Sequence, residues 1–236
     1  MANVKQTDIL TGSIPKQLLA FFMPIWFGTL FQQLYNTADT LIVGNFVGTQ
    51  ALAAVGATGP FVNLLVGLFV GLCSGVGVVI SQSFGARDYE SVDRQVHTAL
   101  VFSVVIGAVL TALGLLTAEP VMRLMGTPEE ILGAATLYLR IYLLGMPVIL
   151  LYNFEAAIFR SVGDTKVPLA ALAISGVLNV LLNLFFVIVL HMTVNGVAIA
   201  TVTANAVSAF LLYRRLTRTD KCVRVEWKLL RIDGTS

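Results

Sequence analysis

The residues best placed to do chemistry are polar side chains set inside long apolar runs. Asp39 follows one such run and is itself followed by Thr40, Leu41, Ile42 and Val43. Ionisable groups in apolar segments of this length are expensive and are default candidates for coupling sites. Asp39 could take and release a proton. It could instead ligate a hard cation through oxygen, with Asn179, Asn183 and Thr201 as further oxygen donors. The blander alternative is a solvated aspartate near the mouth of its helix. Gln32 and Asn36 precede Asp39 at helical spacing and share its face. Ser175, Asn179 and Asn183 form a second stripe, and Thr201, Asn205 and Ser208 a third. Together the three stripes could line one polar cavity, although buried amides such as Asn179 and Asn183 also serve as glue between membrane helices.

Other candidates read more structurally. Glu155, five residues before Arg160, reads as an interfacial carboxylate paired with a basic neighbour. Gly67, Gly71 and Gly75 have the spacing that lets helix backbones approach. Tyr138, Tyr142 and Tyr152 read as packing or interface anchors, and Gly163-Asp164 as a turn between helices. Enzyme signatures are absent: there is no H-E-x-x-H, G-x-S-x-G, P-loop or C-x-x-C. His97 and His191 are far apart, and the two cysteines, Cys73 and Cys222, read as unpaired thiols. The expectation is a protein that is not an enzyme, with no metal centre and no cofactor beyond a coupling ion, H+ or Na+.

The elements that must position these residues are membrane spans. Apolar residues make up 57% of the 236-residue chain and charged residues 12%. That is about half the charge content of an ordinary soluble domain, so the chain's solvent must be largely lipid. A helix needs about 20 apolar residues to cross the hydrocarbon core. Six stretches qualify: 18–43, 52–84, 96–117, 137–159, 167–190 and 197–213. The second is long enough to suggest tilt or a bend, and the fourth holds Pro147. The runs are continuous, unlike the alternating pattern of barrel strands. The expected fold is therefore an all-α integral membrane protein: a segment 1–17, a six-helix lobe 18–213, and a basic tail or linker 214–236. Thirteen of the fifteen Lys and Arg residues fall on one side of this layout, Arg123 and Arg140 being the exceptions. Basic loops stay in the cytoplasm, which predicts a multi-pass plasma-membrane protein with both termini cytoplasmic. A net charge of +2 gives no reason to expect a nucleic-acid partner.

The run MPIWFGTLFQQLYNTADTLIVGNFVGTQALAAVG resembles the first helix and loop of the multidrug and toxic compound extrusion (MATE) transporters. SQSFGARD, FRSVGDTKVP, SGVLNVLLNLFFV and NGVAIATVTA resemble later segments of that family, in the right order. The resemblance implies a secondary antiporter that exports amphipathic, often cationic, compounds in exchange for protons or sodium ions. It also implies twelve helices in two six-helix lobes, of which this chain resembles the amino-terminal one in prokaryotic members. Its partners would then be membrane lipid, a small amphipathic substrate, and a second six-helix lobe or a second copy. In such members the helix-one acid of the lobe's cation site matches Asp39, the helix-five amide matches Asn179, and a helix-six threonine matches Thr201. Some members carry a second acid where this chain has Asn183. The alternatives are a lipid-linked oligosaccharide flippase of the same superfamily, which would favour a larger basic cavity, or a fragment that transports nothing.

Overall fold

The computed structural model describes residues 14–218 and Val223. The expectations for segment 1–17 before Ile14, and for the tail beyond Arg218 with Cys222 and the last basic residues, fall outside the described residues. The described part is helical, with no strand. In chain order it comprises α1 (Ile14–Ile42), α2 (Thr49–Gly85), α3 (Tyr89–Leu124), α4 (Glu129–Leu144), α5 (Met146–Ser161), α6 (Lys166–Leu184) and α7 (Val194–Arg218). Two short π-helical turns, Val43–Val47 and Phe185–Val189, continue α1 and α6.

Five of these segments are long and apolar enough to cross a membrane alone. The pair α4 and α5, bent by 50° at Gly145, passes the same test together and brings the candidate spans to six. The sequence reading has one span there with Pro147 inside it, and the structure breaks that span at Gly145, leaving Pro147 in the first turn of α5. At 1.5 Å per residue the 37-residue α2 is about 55 Å long, well beyond a hydrocarbon core of about 30 Å. It is one helix from end to end, with Pro60 inside. Large apolar side chains such as Phe22, Leu64, Leu116, Leu181 and Phe210 are exposed. This is the surface expected where the outer solvent is hydrocarbon, since lipid tails carry no penalty for an exposed leucine.

Packing arranges the helices unevenly. α5 is central, packed on α2, α3 and α7, and α4 packs on α2, α3 and α7. α6 packs on α7, and α1 packs chiefly on α6. Most of α1 is therefore exposed. The buried apolar side chains fall into two clusters. One, around Ile42, Leu139, Met146 and Val197, lies at the end that holds Asp39. The other, around Ile80, Val96, Phe159 and Leu216, lies at the opposite, basic end.

The bend between α4 and α5 has a specific support. Pro147 has no N–H, so the Leu143 carbonyl four residues earlier loses its helical partner. The Thr111 hydroxyl of α3 donates to that carbonyl at 2.7 Å. One turn to either side, Gly107 and Gly114 on the same face of α3 give room for Pro147 and Leu143. Thr111→Val keeps the shape and deletes the donor. It is expected to destabilise the lobe by about 1–3 kcal/mol, the range for a buried polar group left unpaired. The measurement is thermal unfolding in nanodiscs, and an unchanged midpoint would remove Thr111 as the support of the bend.

The glycine stripe Gly67, Gly71 and Gly75 does not bring backbones together within this chain. A Cβ added at any of the three would meet nothing within 4 Å. The expectation of close helix approach at this stripe is corrected: the close approaches are at Gly107, Gly114, Gly145 and Gly176 instead. Arg123 and Arg140, the two basic residues on the less basic side, both face Glu119, and Arg123 also pairs with Glu129 at 2.6 Å. Exposed pairs of this kind add little stability, but they neutralise the charge on that side.

Candidate functional site

Asp39 sits in the last turn of α1, just before the π-helical Val43–Val47. Asn183 sits at the end of α6, just before the π-helical Phe185–Val189. The two π turns contact each other. π turns inside helices recur at functional sites because they re-aim the side chains around them. Here the two helices that end in one bring Asp39 and Asn183 together.

The Asn183 amide donates to Asp39 Oδ1 at 2.5 Å. This bond ties α1, the most exposed helix, to α6. Asn179 lies one turn back on α6 and is buried. With its amide nitrogen toward α1 it donates to both Asp39 oxygens, at 2.7 and 3.0 Å; the orientation is assigned from these partners, because the reverse would set an amide oxygen against a carboxylate. Its other amide atom then faces the Thr201 hydroxyl 3.4 Å away. Thr201 on α7 donates to its own Val197 carbonyl at 3.0 Å, leaving its oxygen lone pairs toward the site. Asn183 Oδ1 is buried and has no hydrogen-bond partner among the described residues. The side chains gathered here are carboxylate, amide and hydroxyl, the oxygen chemistry that suits a small hard cation or a proton. Among the described residues no three His, Cys, Asp or Glu side chains gather, so the donor set is not of the transition-metal kind.

The remaining sequence candidates separate from this cluster. Ser175, buried two turns before Asn183 on α6, donates to Leu172 O at 3.1 Å. Asn205 donates to Thr201 O at 2.8 Å, one turn along α7. Ser208 reaches across to Ala171 O on α6 at 3.3 Å and so joins α7 to α6. Gln32 and Asn36 are exposed on α1. The Tyr35 ring packs against Gly176, and Asn36 lends its carbonyl to Thr40. Tyr138 and Tyr142 stack on each other within α4, with ring centroids 6.5 Å apart.

Glu155 is a correction. It is neither interfacial nor paired with Arg160: it is fully buried, and neither carboxyl oxygen has a hydrogen-bond partner among the described residues. Helical geometry explains the difference. Residues 153, 157 and 160 share one face of α5, and position 155 points nearly the opposite way, into the bundle. A buried carboxyl without partners is expensive in its charged form, so its removal should help the fold. Glu155→Met is expected to stabilise the lobe by about 1–3 kcal/mol, the desolvation penalty of one unpaired polar group. A fall in the thermal midpoint would show that the carboxyl has a structural partner.

Fold and site together define the class: a multi-pass helical membrane protein with a polar, oxygen-rich site where two broken helices meet inside the bundle. The chain belongs to the MATE transporter family, since the MatE family model matches residues 24–185. It is 31% identical over 208 residues to the "Probable multidrug resistance protein YpnP" of Bacillus subtilis, covering 88% of this chain and 46% of that one. It is 27% identical to the "FAD transporter" of Shewanella oneidensis, covering 94% of this chain and 52% of that one. Among solved structures it matches the outward-facing conformation of a multidrug resistance MATE family transporter of the MOP superfamily. There the TM-score is 0.86 and the identity 30%, over 97% of this chain and 51% of that one. The chain spans about half the length of the relatives it matches.

Proposed function

We propose that this chain is the amino-terminal lobe of a cation-coupled exporter of amphipathic compounds, with both termini cytoplasmic and with Asp39 as its coupling group. The observation that carries the reading is the Asp39–Asn183–Asn179–Thr201 cluster, built across α1, α6 and α7. Family membership and relatives named as multidrug resistance proteins support export as the activity. The 13-to-2 distribution of basic residues supports the orientation. The shared half-length match supports a second lobe as the partner, since carriers are commonly built from repeated halves with the site between or within them.

The mechanism follows from what Asp39 holds. In its ionised form it accepts from Asn183 and Asn179, which clips α1 to α6. Binding a proton or a sodium ion neutralises the carboxylate and weakens its claim on those amide N–H groups. α1 has little other packing to hold it, so the change frees it to move relative to α2 and α5, with Pro24 as a weak point in its ladder. A single local event thereby biases the shape of the cleft that carries substrate. The test is dye efflux from proteoliposomes under an imposed proton or sodium gradient, with the chain supplied alone and alongside the remaining half of a full-length relative. Efflux that ignores both gradients would defeat the coupling reading.

A further inference from the structure

α1, α2 and α5 line an open cavity of about 760 Å3 toward the basic end of the lobe, away from the Asp39 cluster. That volume lies within the range of sites for drug-sized molecules. Its walls are apolar, from Leu18, Phe21 and Ile25 on α1, Val70 and Val78 on α2, and Ala157 on α5. Five polar residues interrupt them: Ser74, Ser81, Asn153, Arg160 and Ser161.

The hydrogen-bonding capacity of those five is already partly committed. Ser74, Ser81 and Ser161 each donate to a carbonyl of their own helix, at 2.7, 2.8 and 2.7 Å. Asn153 donates to Ile149 O at 2.7 Å. The free donors of the cavity are therefore the Arg160 guanidinium and the second N–H of the Asn153 amide, and only the guanidinium is charged. Among the described residues no carboxylate lines the cavity and Arg160 makes no ion pair. Glu155, the acid nearest in sequence, points away from it into the bundle. An arginine fork with unused N–H groups beside apolar walls matches a planar oxyanion carried on an apolar body. A cationic head in the same place would face a like charge with nothing to offset it.

We propose that this cavity binds an amphipathic organic anion, with its apolar body against α1 and α2 and its carboxylate, sulfonate or phosphate on Arg160. This deepens the reading of the chain as the substrate-facing lobe of an exporter and rests on it. It also reverses the sign of the cargo: the resemblance implied compounds that are often cationic, and the lining favours an anion.

Fluorescein and rhodamine 6G share a xanthene body and differ in charge sign, which makes them a matched pair of probes. The full chain is placed in phosphatidylcholine nanodiscs, and binding of each dye is followed by fluorescence anisotropy. Fluorescein should bind at least about tenfold more tightly than rhodamine 6G, the ratio that one charge-assisted contact supplies. Arg160→Gln should remove that advantage and leave rhodamine 6G unchanged. Arg160→Lys should keep part of it, as a point charge without the fork. Ser74→Leu, which fills the cavity without touching its charge, should weaken fluorescein in a chain whose guanidinium is intact; it serves as the second variant if Arg160→Gln fails to fold. Equal or tighter binding of rhodamine 6G by the wild-type chain would overturn the proposal. So would a fluorescein affinity indifferent to both Arg160→Gln and Ser74→Leu. Phosphatidylglycerol added to the discs separates the sources of the anion. If the lipid displaces fluorescein from the wild-type chain but not from Arg160→Gln, Arg160 is a lipid-headgroup contact and the soluble-anion proposal falls. Binding is read here without transport, so a failure of ion coupling at Asp39 leaves this result standing, and the converse.

Discussion

Asp39→Asn is expected to abolish gradient-driven efflux while leaving the lobe folded. The substitution keeps the shape of the side chain and one oxygen acceptor, so Asn183 retains a partner and α1 remains tied to α6. What is lost is the ability to change charge. A gradient of two pH units stores about 2.7 kcal/mol per proton, which sustains about a hundredfold concentration ratio of exported compound. Under the coupling proposed for Asp39, the variant has no group to carry the proton or to hold a sodium ion by charge, and that driving force cannot reach the substrate. Accumulation in inverted vesicles or proteoliposomes holding the complete transporter should fall to the passive level under either gradient. Circular dichroism and the thermal midpoint should stay close to wild type, because Asn is a hydrogen-bonding replacement in a site already made of amides. Efflux that persists at wild-type rates in a folded Asp39→Asn protein would mean that coupling lies elsewhere in the assembly.

The largest effect on stability is expected at Gly107. A Cβ at this position would overlap the backbone of Pro147, and the proline can neither rotate nor shift without moving the bend between α4 and α5. Gly107→Ala must therefore push α3 off α5, the pair at the centre of the lobe. Overpacking of a tight contact costs about 1–3 kcal/mol, and the upper end is expected because backbone, not a flexible side-chain tip, receives the collision. Gly71→Ala is the matched control. Its added methyl meets nothing, and in a helix alanine is favoured over glycine by about 1 kcal/mol. Thermal unfolding of the two variants in the same detergent should move in opposite directions. Equal midpoints would show that the α3–α5 contact yields more easily than its geometry implies.

These two predictions separate what is legible in the chain from what is not. Asp39 could be picked out by reading, because a carboxylate in an apolar run is costly wherever the helix is placed. Gly107 could not. It is one of twenty glycines, and the stripe that stood out by spacing, Gly67, Gly71 and Gly75, faces open space in this chain. Glu155 shows the same limit from the other side. Its nearness to Arg160 in sequence suggested a pair, and a turn of the helix sends the two side chains to different faces.

The sequence by itself determined the solvent, the number of spans and the family. Each depends on local sums: twenty apolar residues in a row reach across a bilayer in any fold, and motif order is carried by the chain itself. It also determined the polar stripes, since helical period sets which residues share a face. Only the tertiary structure decided how those stripes meet. It joined Asp39 to Asn183 and Asn179 through two π turns, left Gln32 and Asn36 exposed, broke the fourth span at Gly145, and set Arg160 in an apolar cavity with no ion pair among the described residues. Period fixes the residues on a face but not the direction in which the face points. That direction is set by the rotation of each helix about its axis, which the close contacts of its neighbours decide.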